Sequence, residues 1–466
     1  MSPNDVSAAP ESPVTAGLSE FAAGVTLAAL PPEVVARTRL LVLDLAGNAV
    51  RARHDAESTP ALLAAVRALG LDHGSSRVFG DSATYAPAGA ALINATLGHS
   101  LDFDDTHAEA VVHPGAPVIP AALAAAEMVG ASGAEVMAGI VAGYEVALRL
   151  ALALPAGAHY DRGYHPSATC GAFGAAAAAG RVFGLDAASI ASAFGIALSQ
   201  SAGSLQFLAN GAWTKRFQVG WAGMAGLTAA TLAREGFKGA ANALEGKHGF
   251  LRSYAPAPVP ERALRDLGQV FELMATGVKP YPSCRWGHAG IDAALALREE
   301  LALRPEEIEG ATLGISRAGL LLVGEPAARK ADPQNIVDGQ FSGPFVIAAA
   351  LATGRMDWDS YKALHDPAIR TLMPRIACEN DPEIEAEFPA NMSGKLTLRA
   401  RGQVFTRTVI VPKGEPANFP NEDELRGKFA GLADAVIGAE RAAALAEEVL
   451  RLDRLNDGAA LLRHAA

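Results

Sequence analysis

Cysteine is nearly missing from this chain. Three occur in 466 residues, Cys170, Cys284 and Cys378, and no two form a CxxC pair. That argues against a structural zinc site or a disulfide framework and fits a reducing, cytoplasmic setting. Aromatic residues are scarce at 6%, and charged residues reach only 19%, below the usual quarter. Low charge on a long chain suggests a surface partly covered by another subunit. Basic residues are outnumbered, 39 against 50, for a net charge of −11. That balance speaks against a nucleic-acid partner and against an anionic membrane surface. The first fifteen residues lack the basic start and apolar stretch of a signal peptide and are expected to be a disordered tail. No GxSxG elbow and no Walker A loop is present. Ala187 to Thr214 carries no formal charge, but Gln200, Gln206 and Asn210 interrupt it. It reads as buried helix rather than a bilayer span.

What the chain does have is small apolar residues. Half of it is hydrophobic, and there are 47 glycines. Alanine and leucine favour closely packed helices. Helical periodicity runs through Leu18–Ala29, Glu33–Ala49, Pro60–Leu69, Ala88–Asp102, Val118–Met128, Gly133–Leu154, Ala168–Phe183, Ala187–Ser201 and Gly220–Glu235. The character changes after Arg252, and the three prolines of Tyr254–Pro260 suggest a linker. Strand-like alternation follows at Glu309–Ser316, Gly394–Arg399 and Val404–Val411, with a hairpin turn expected at Gly402-Gln403. Helices are expected among them at Gly290–Leu303 and Phe341–Thr353, and after Pro412 at Asn421–Leu432 and Ala439–Arg451. The expected fold is mainly α: an all-helical domain over 16–270 and 412–466, and a smaller α+β domain over 271–411.

Four segments carry chemistry. The first runs from His99 to His113 and crowds three aspartates, three histidines and Glu109. It suits a site loop with an imidazole for proton transfer near neutral pH. Asp102, Asp105 and Thr106 share one face if the preceding helix continues that far. A polar surface loop and a metal site are the other readings. The second holds His165 just ahead of a helix, with Ser167 as the expected N-cap. Helix N-termini favour anions. The third contains Lys215 and Arg216, the only charges between Ala187 and Ala233. Unpaired cations in apolar surroundings are costly, so a substrate carboxylate is a natural partner. The fourth runs from Gly277 to His288, where Lys279 and Arg285 are the formal charges, Tyr281 is a potential donor, and Cys284 reads as a packed thiol. Cations and imidazoles in an apolar frame suit a small polycarboxylate and removal of a proton at its α-carbon.

With these segments in hand the chain resembles the MmgE/PrpD family. The resemblance rests on Leu101-Asp-Phe-Asp-Asp-Thr106, His113-Pro-Gly, Tyr164-His-Pro-Ser167, Thr214-Lys215, Lys279-Pro-Tyr-Pro-Ser-Cys with His288, and Phe341-Ser-Gly-Pro-Phe345. It implies a large helical domain with a smaller α+β lid, a homodimer, and a lyase or isomerase that needs no metal or organic cofactor. The family includes 2-methylcitrate dehydratase, cis-aconitate decarboxylase and iminodisuccinate epimerase, and Asp102–Pro120 looks more like the latter two. It further implies that Asp102, Thr106, His113, His165, Lys215 and Lys279 are site residues. His113 would shuttle the proton, His165 and Lys215 would hold one carboxylate, and Lys279 the other. Asp102 would orient an imidazole or lysine, and Thr106 would supply a hydrogen bond. Arg216 and Tyr281 are added as substrate-binding candidates. Two readings compete: a magnesium-dependent, isoprenoid-synthase-like helical protein, suggested by Asp102-Phe-Asp-Asp, and a non-catalytic dimeric binding protein on the same fold.

Overall fold

Proline and polar caps start the helices of this protein, and glycines end several of them. In the computed structural model, which describes residues 13–465, Pro32 opens the helix Pro32–Asp55, and Ser132 with Glu135 forms a capping box for Gly133–Ala153. Gly130, in the left-handed region at φ 67°, closes Gly115–Val129. The chain divides into two compact units: one runs to Thr276 and resumes at Leu425, and the other is Gly277–Glu424.

The first unit is helical. Its centre is formed by Pro87–Gly98, Gly115–Val129, Gly133–Ala153, Gly171–Val182 and Thr214–Arg234. Small residues let their backbones meet. A Cβ on Gly226 would lie 2.4 Å from Ala175 Cβ, one on Gly143 2.7 Å from the Gly174 carbonyl, and one on Gly220 2.0 Å from Thr96 Oγ1. Only glycine fits such contacts. Gly133–Ala153 is long and apolar enough to cross a membrane, yet its apolar 18-residue stretch is wholly buried within the unit, and it carries the ion pair Glu145–Arg149.

Several expectations are corrected here. Residues 1–12 of the expected tail lie outside the described residues. Val14 and Thr15 are not tail: they begin a helix, are buried, and Thr15 bonds Glu245 through both its N–H (2.9 Å) and its hydroxyl (2.5 Å). The proline-rich Tyr254–Pro260 is not a linker, because Val259 N–H bonds the Ala153 carbonyl at 2.8 Å and the stretch stays within the first unit. The helix expected over Ala88–Asp102 ends at Gly98. The helix expected from Gly220 begins at Thr214, so Lys215 and Arg216 occupy its first turn. A short hairpin, Ser76–Val78 with Asp81–Tyr85, was too brief to show alternation.

The second unit is built on a four-stranded sheet in the order Ile376–Asn380, Ile308–Ile315, Gly394–Ala400, Gln403–Val409. The first pair is parallel and the other two antiparallel, with Leu313 opposite Leu396 and Leu398 opposite Phe405. Helices His288–Glu300 and Gly343–Thr353 complete it. The hairpin turn is Arg401-Gly402, both at positive φ (54° and 69°), one residue earlier than expected, since Gln403 already pairs with Ala400. The strand Ile376–Asn380 was not foreseen: it is short and half polar, and parallel strands need no hairpin signal. Residues 412–424 belong to this unit, where Lys413 N–H bonds Asp292 at 2.7 Å.

Candidate active site

The helix Pro87–Gly98 is apolar and buried through most of its length, and it delivers His99 at its C-terminal end. The chain then crosses a loop before Gly115 starts the next helix. Asp102 takes a left-handed φ of 53°, which ends helical geometry and sends successive side chains in different directions. With the helix ended at Gly98, the condition for Asp102, Asp105 and Thr106 to share one helical face is not met. Asp102 accepts from Lys215 Nζ at 2.7 Å. Asp104 accepts from His99 Nδ1 at 2.7 Å. Asp105 accepts from Tyr144 hydroxyl at 2.7 Å and from Gly115 N–H at 3.2 Å. A magnesium-binding Asp-rich motif needs its carboxylates on one ion, and these three are each directed to different partners.

His113 returns to this loop. Its Nδ1 lies 2.7 Å from the Asp105 carbonyl and 3.1 Å from Thr106 Oγ1, and its backbone N–H donates to Ser167 Oγ at 3.0 Å. A carbonyl only accepts, so Nδ1 carries the proton and Nε2 is the basic nitrogen of the neutral ring. Ser167 is consequently not the expected N-cap. His165 occupies the cap position of the short helix Pro166–Thr169. His165 Nδ1 lies 3.2 Å from Gln218 Oε1, and Gln218 Nε2 donates to the Ser204 carbonyl at 2.8 Å, which fixes the amide orientation. His165 is therefore also protonated at Nδ1. The three rings pack together, with His99 4.8 Å from His113 and 6.1 Å from His165 between centroids.

Electrostatics follow from this crowding. Burial, then His99, Lys215 and His113, hold His165 well below the ordinary histidine range, so it is neutral at neutral pH. Burial works against the charge on Lys215, but the Asp102 carboxylate outweighs it and the ammonium is held above its ordinary range. Burial and the adjacent Asp104 push the Asp105 carboxyl well up. Beneath the loop, burial raises Asp44 to about 6 despite Lys428, whose Nζ bonds Asp44 at 2.5 Å and the Phe103 carbonyl at 2.8 Å. Lys428 comes from the far end of the chain and clamps the Asp102–Thr106 loop from below.

Of the sequence-predicted residues, Asp102, Thr106, His113, His165 and Lys215 share this cluster. Arg216 points to Ser58 Oγ at 3.3 Å, and burial lowers its pKa. Lys279 and Tyr281 stand in the second unit, both buried. Tyr281 hydroxyl donates to Asp292 at 2.5 Å, and its ring meets His288 edge-on at 5.4 Å. His99, Asp104 and Gln218 were not singled out as site residues from the sequence. A histidine closing an otherwise apolar helix was the available signal.

Comparison with known proteins agrees with the motif pattern. The MmgE/PrpD N-terminal domain model matches residues 16–263, and the MmgE/PrpD C-terminal domain model matches residues 281–454. The chain belongs to the MmgE/PrpD family. This MmgE/PrpD protein is 27% identical over 481 residues to the cis-aconitate decarboxylase-like protein oryM of Aspergillus oryzae, covering 97% of each chain. It is 26% identical to cis-aconitate decarboxylase of Aspergillus terreus, over 97% of this chain and 96% of that one. Human cis-aconitate decarboxylase is 26% identical over 80% of this chain and 78% of its own length.

Proposed function

We propose that this MmgE/PrpD protein is a cofactor-independent lyase that acts on a small di- or tricarboxylate: as a dehydratase it removes a proton α to a carboxylate while hydroxide leaves, and as a decarboxylase it returns a proton to the carbanion left when carbon dioxide departs. The carrying observation is the packing of three imidazoles on one another, with His165 beside the Lys215–Asp102 ion pair, in an apolar frame. The names of the fungal and human relatives support a carboxylate substrate and carbon–carbon lyase chemistry.

In this reading His113 Nε2 takes the proton. The Asp105 carbonyl and Thr106 hydroxyl hold the ring in the tautomer that leaves Nε2 basic. Lys215 offers its ammonium to one substrate carboxylate, and Asp102 keeps that ammonium charged and oriented until substrate arrives. His165 is neutral in the resting protein, and a neutral Nε2 accepts rather than donates. It binds a carboxylate only once the substrate's negative charge has drawn a proton onto it. Lys279 remains a candidate carboxylate ligand carried by the second unit. Tyr281, with its hydroxyl on Asp292, is a support for the Lys279 segment.

The same proton abstraction serves an epimerase of the iminodisuccinate type, in which the carbanion is reprotonated on its other face. The deciding experiment is incubation of the purified full chain in deuterated buffer with cis-aconitate, citrate, 2-methylcitrate and iminodisuccinate analogues, followed by proton NMR. Loss of carbon dioxide or a new alkene signal is expected. Deuterium entry with inversion alone would favour the epimerase. No change with any of these would refute the reading for this set of carboxylates and favour a non-catalytic binding relative.

A further inference from the structure

Two buried groups beside His113 have no role in that scheme. Asp104 is wholly buried, and its Oδ2 faces two imidazoles, His99 Nδ1 at 2.7 Å and His113 Nδ1 at 3.7 Å. His99 is equally enclosed, and among the described residues its Nε2 has no hydrogen-bond partner. An ionised carboxylate accepts only, so the His99 proton sits on Nδ1, toward Asp104. A carboxylate this deep is costly unless something holds and compensates it. His99 holds it. What it compensates is the question.

Resting on the lyase reading above, we propose that Asp104, anchored by His99, is a positioning residue that offsets the positive charge His113 gains in proton transfer. In that step the substrate C–H bond breaks and its electron pair stays on carbon, spreading into the adjacent carboxylate. A new N–H bond forms at His113 Nε2, and the ring becomes a cation. Asp104, 3.7 Å from Nδ1, supplies the matching negative charge without itself taking a proton. The arrangement differs from a serine-protease triad, because the base's own Nδ1–H goes to a backbone carbonyl and the carboxylate is tied to a second imidazole. The other titratable and charged groups around the pair are His165, the Lys215–Asp102 pair and Asp105 with Tyr144. Asp44 with Lys428 lies behind the loop.

The test uses the full chain, labelled with nitrogen-15, and reads the His113 titration by long-range nitrogen–proton NMR. In Asp104→Asn the His113 midpoint is expected to fall by one pH unit or more, with no substrate needed. With whichever carboxylate the wild type converts, kcat falls about 10²-fold or more while KM stays within threefold. The acid limb of kcat/KM moves to lower pH. His99→Ala should reproduce the loss of kcat. His99→Asn, whose amide nitrogen can stand where Nδ1 stood, should restore kcat to within about tenfold of wild type. An unchanged His113 midpoint in Asp104→Asn overturns the proposal. So does a His99→Asn variant as inactive as His99→Ala, which would make Nε2 the working atom. Should Asp104→Asn fail to fold, the His99 pair carries the decision. If the wild type converts no carboxylate, the lyase reading falls, and the midpoint still decides what Asp104 does to His113.

Discussion

Glu145 and Arg149 lie on the core helix Gly133–Ala153, while His99, Asp104, His113 and His165 lie around a loop of the same unit, and both are sets of ionisable groups in an apolar frame. The first set is saturated. Glu145 accepts from Arg149 Nε and from Leu273 N–H, each at 2.9 Å, and Arg149 donates to the Arg265 and Val270 carbonyls, each at 2.6 Å. It pins the 265–273 segment to the helix and leaves nothing over. The second set is frustrated. Three imidazoles crowd one another, His165 is held neutral by burial and by its neighbours, and among the described residues Nε2 of His99 has no hydrogen-bond partner. Saturation goes with holding a fold, and surplus goes with chemistry.

Breaking each set should therefore do opposite things. The largest effect is expected from His113→Ala: turnover of the carboxylate substrate falls about 10²–10⁴-fold, with the thermal midpoint unchanged or raised. A variant that kept its turnover would remove His113 from the proton step. Next is Arg149→Met, which strands the Glu145 carboxylate in the core. A loss of about 3–5 kcal/mol in urea unfolding is expected, with normal turnover per folded molecule. If stability held but turnover collapsed, the division between the two sets would be wrong.

The smallest effect sharpens the comparison through pH. His165 has its folded pKa well below the unfolded value of about 6.5, so protonation favours the unfolded chain. Its contribution to stability is lost as pH falls below that value, at about 1.4 kcal/mol per pH unit. Asp44 works the other way: its folded pKa is raised to about 6, so the folded state gains as pH falls toward 4. Urea unfolding at pH 7.5 and 5.5 should show His165→Gln losing less stability on acidification than wild type, by about 1.4 kcal/mol. Equal losses would mean that His165 is not held neutral by its surroundings.

How far the sequence reached can be judged residue by residue. Lys215 was visible because it stands in a long uncharged stretch, and the structure gives it a carboxylate partner, Asp102. The grouping of Asp102, Asp105 and Thr106 on one helical face required the helix to continue, and it ends at Gly98, since nothing in the local pattern announces that end or the left-handed φ at Asp102. Gln218 and Asp104 were not legible, because their importance lies in pairing with His165, 53 positions away, and in burial beside His113. Lys428 is the extreme case, reaching Phe103 across 325 positions. In the second unit, strands with alternating residues were legible, and the short parallel strand Ile376–Asn380 was not. Local periodicity reports which face of an element is buried. It says nothing about which distant side chain completes a charge.

The glycine contacts between the central helices carry one more consequence. Gly220 stands one and a half turns beyond Lys215, and a Cβ there would strike Thr96, three residues before His99. The spacing between the ammonium and the first imidazole is thus gauged by main chain against the short Thr96 side chain, whose hydroxyl is tied to the Leu92 carbonyl at 2.7 Å, and against that carbonyl itself. Such a joint has no play. It gives the site a tolerance set by one tethered hydroxyl and a backbone carbonyl. It also makes the quiet, featureless alanine and glycine faces of these helices as unforgiving of change as the charged loop they carry.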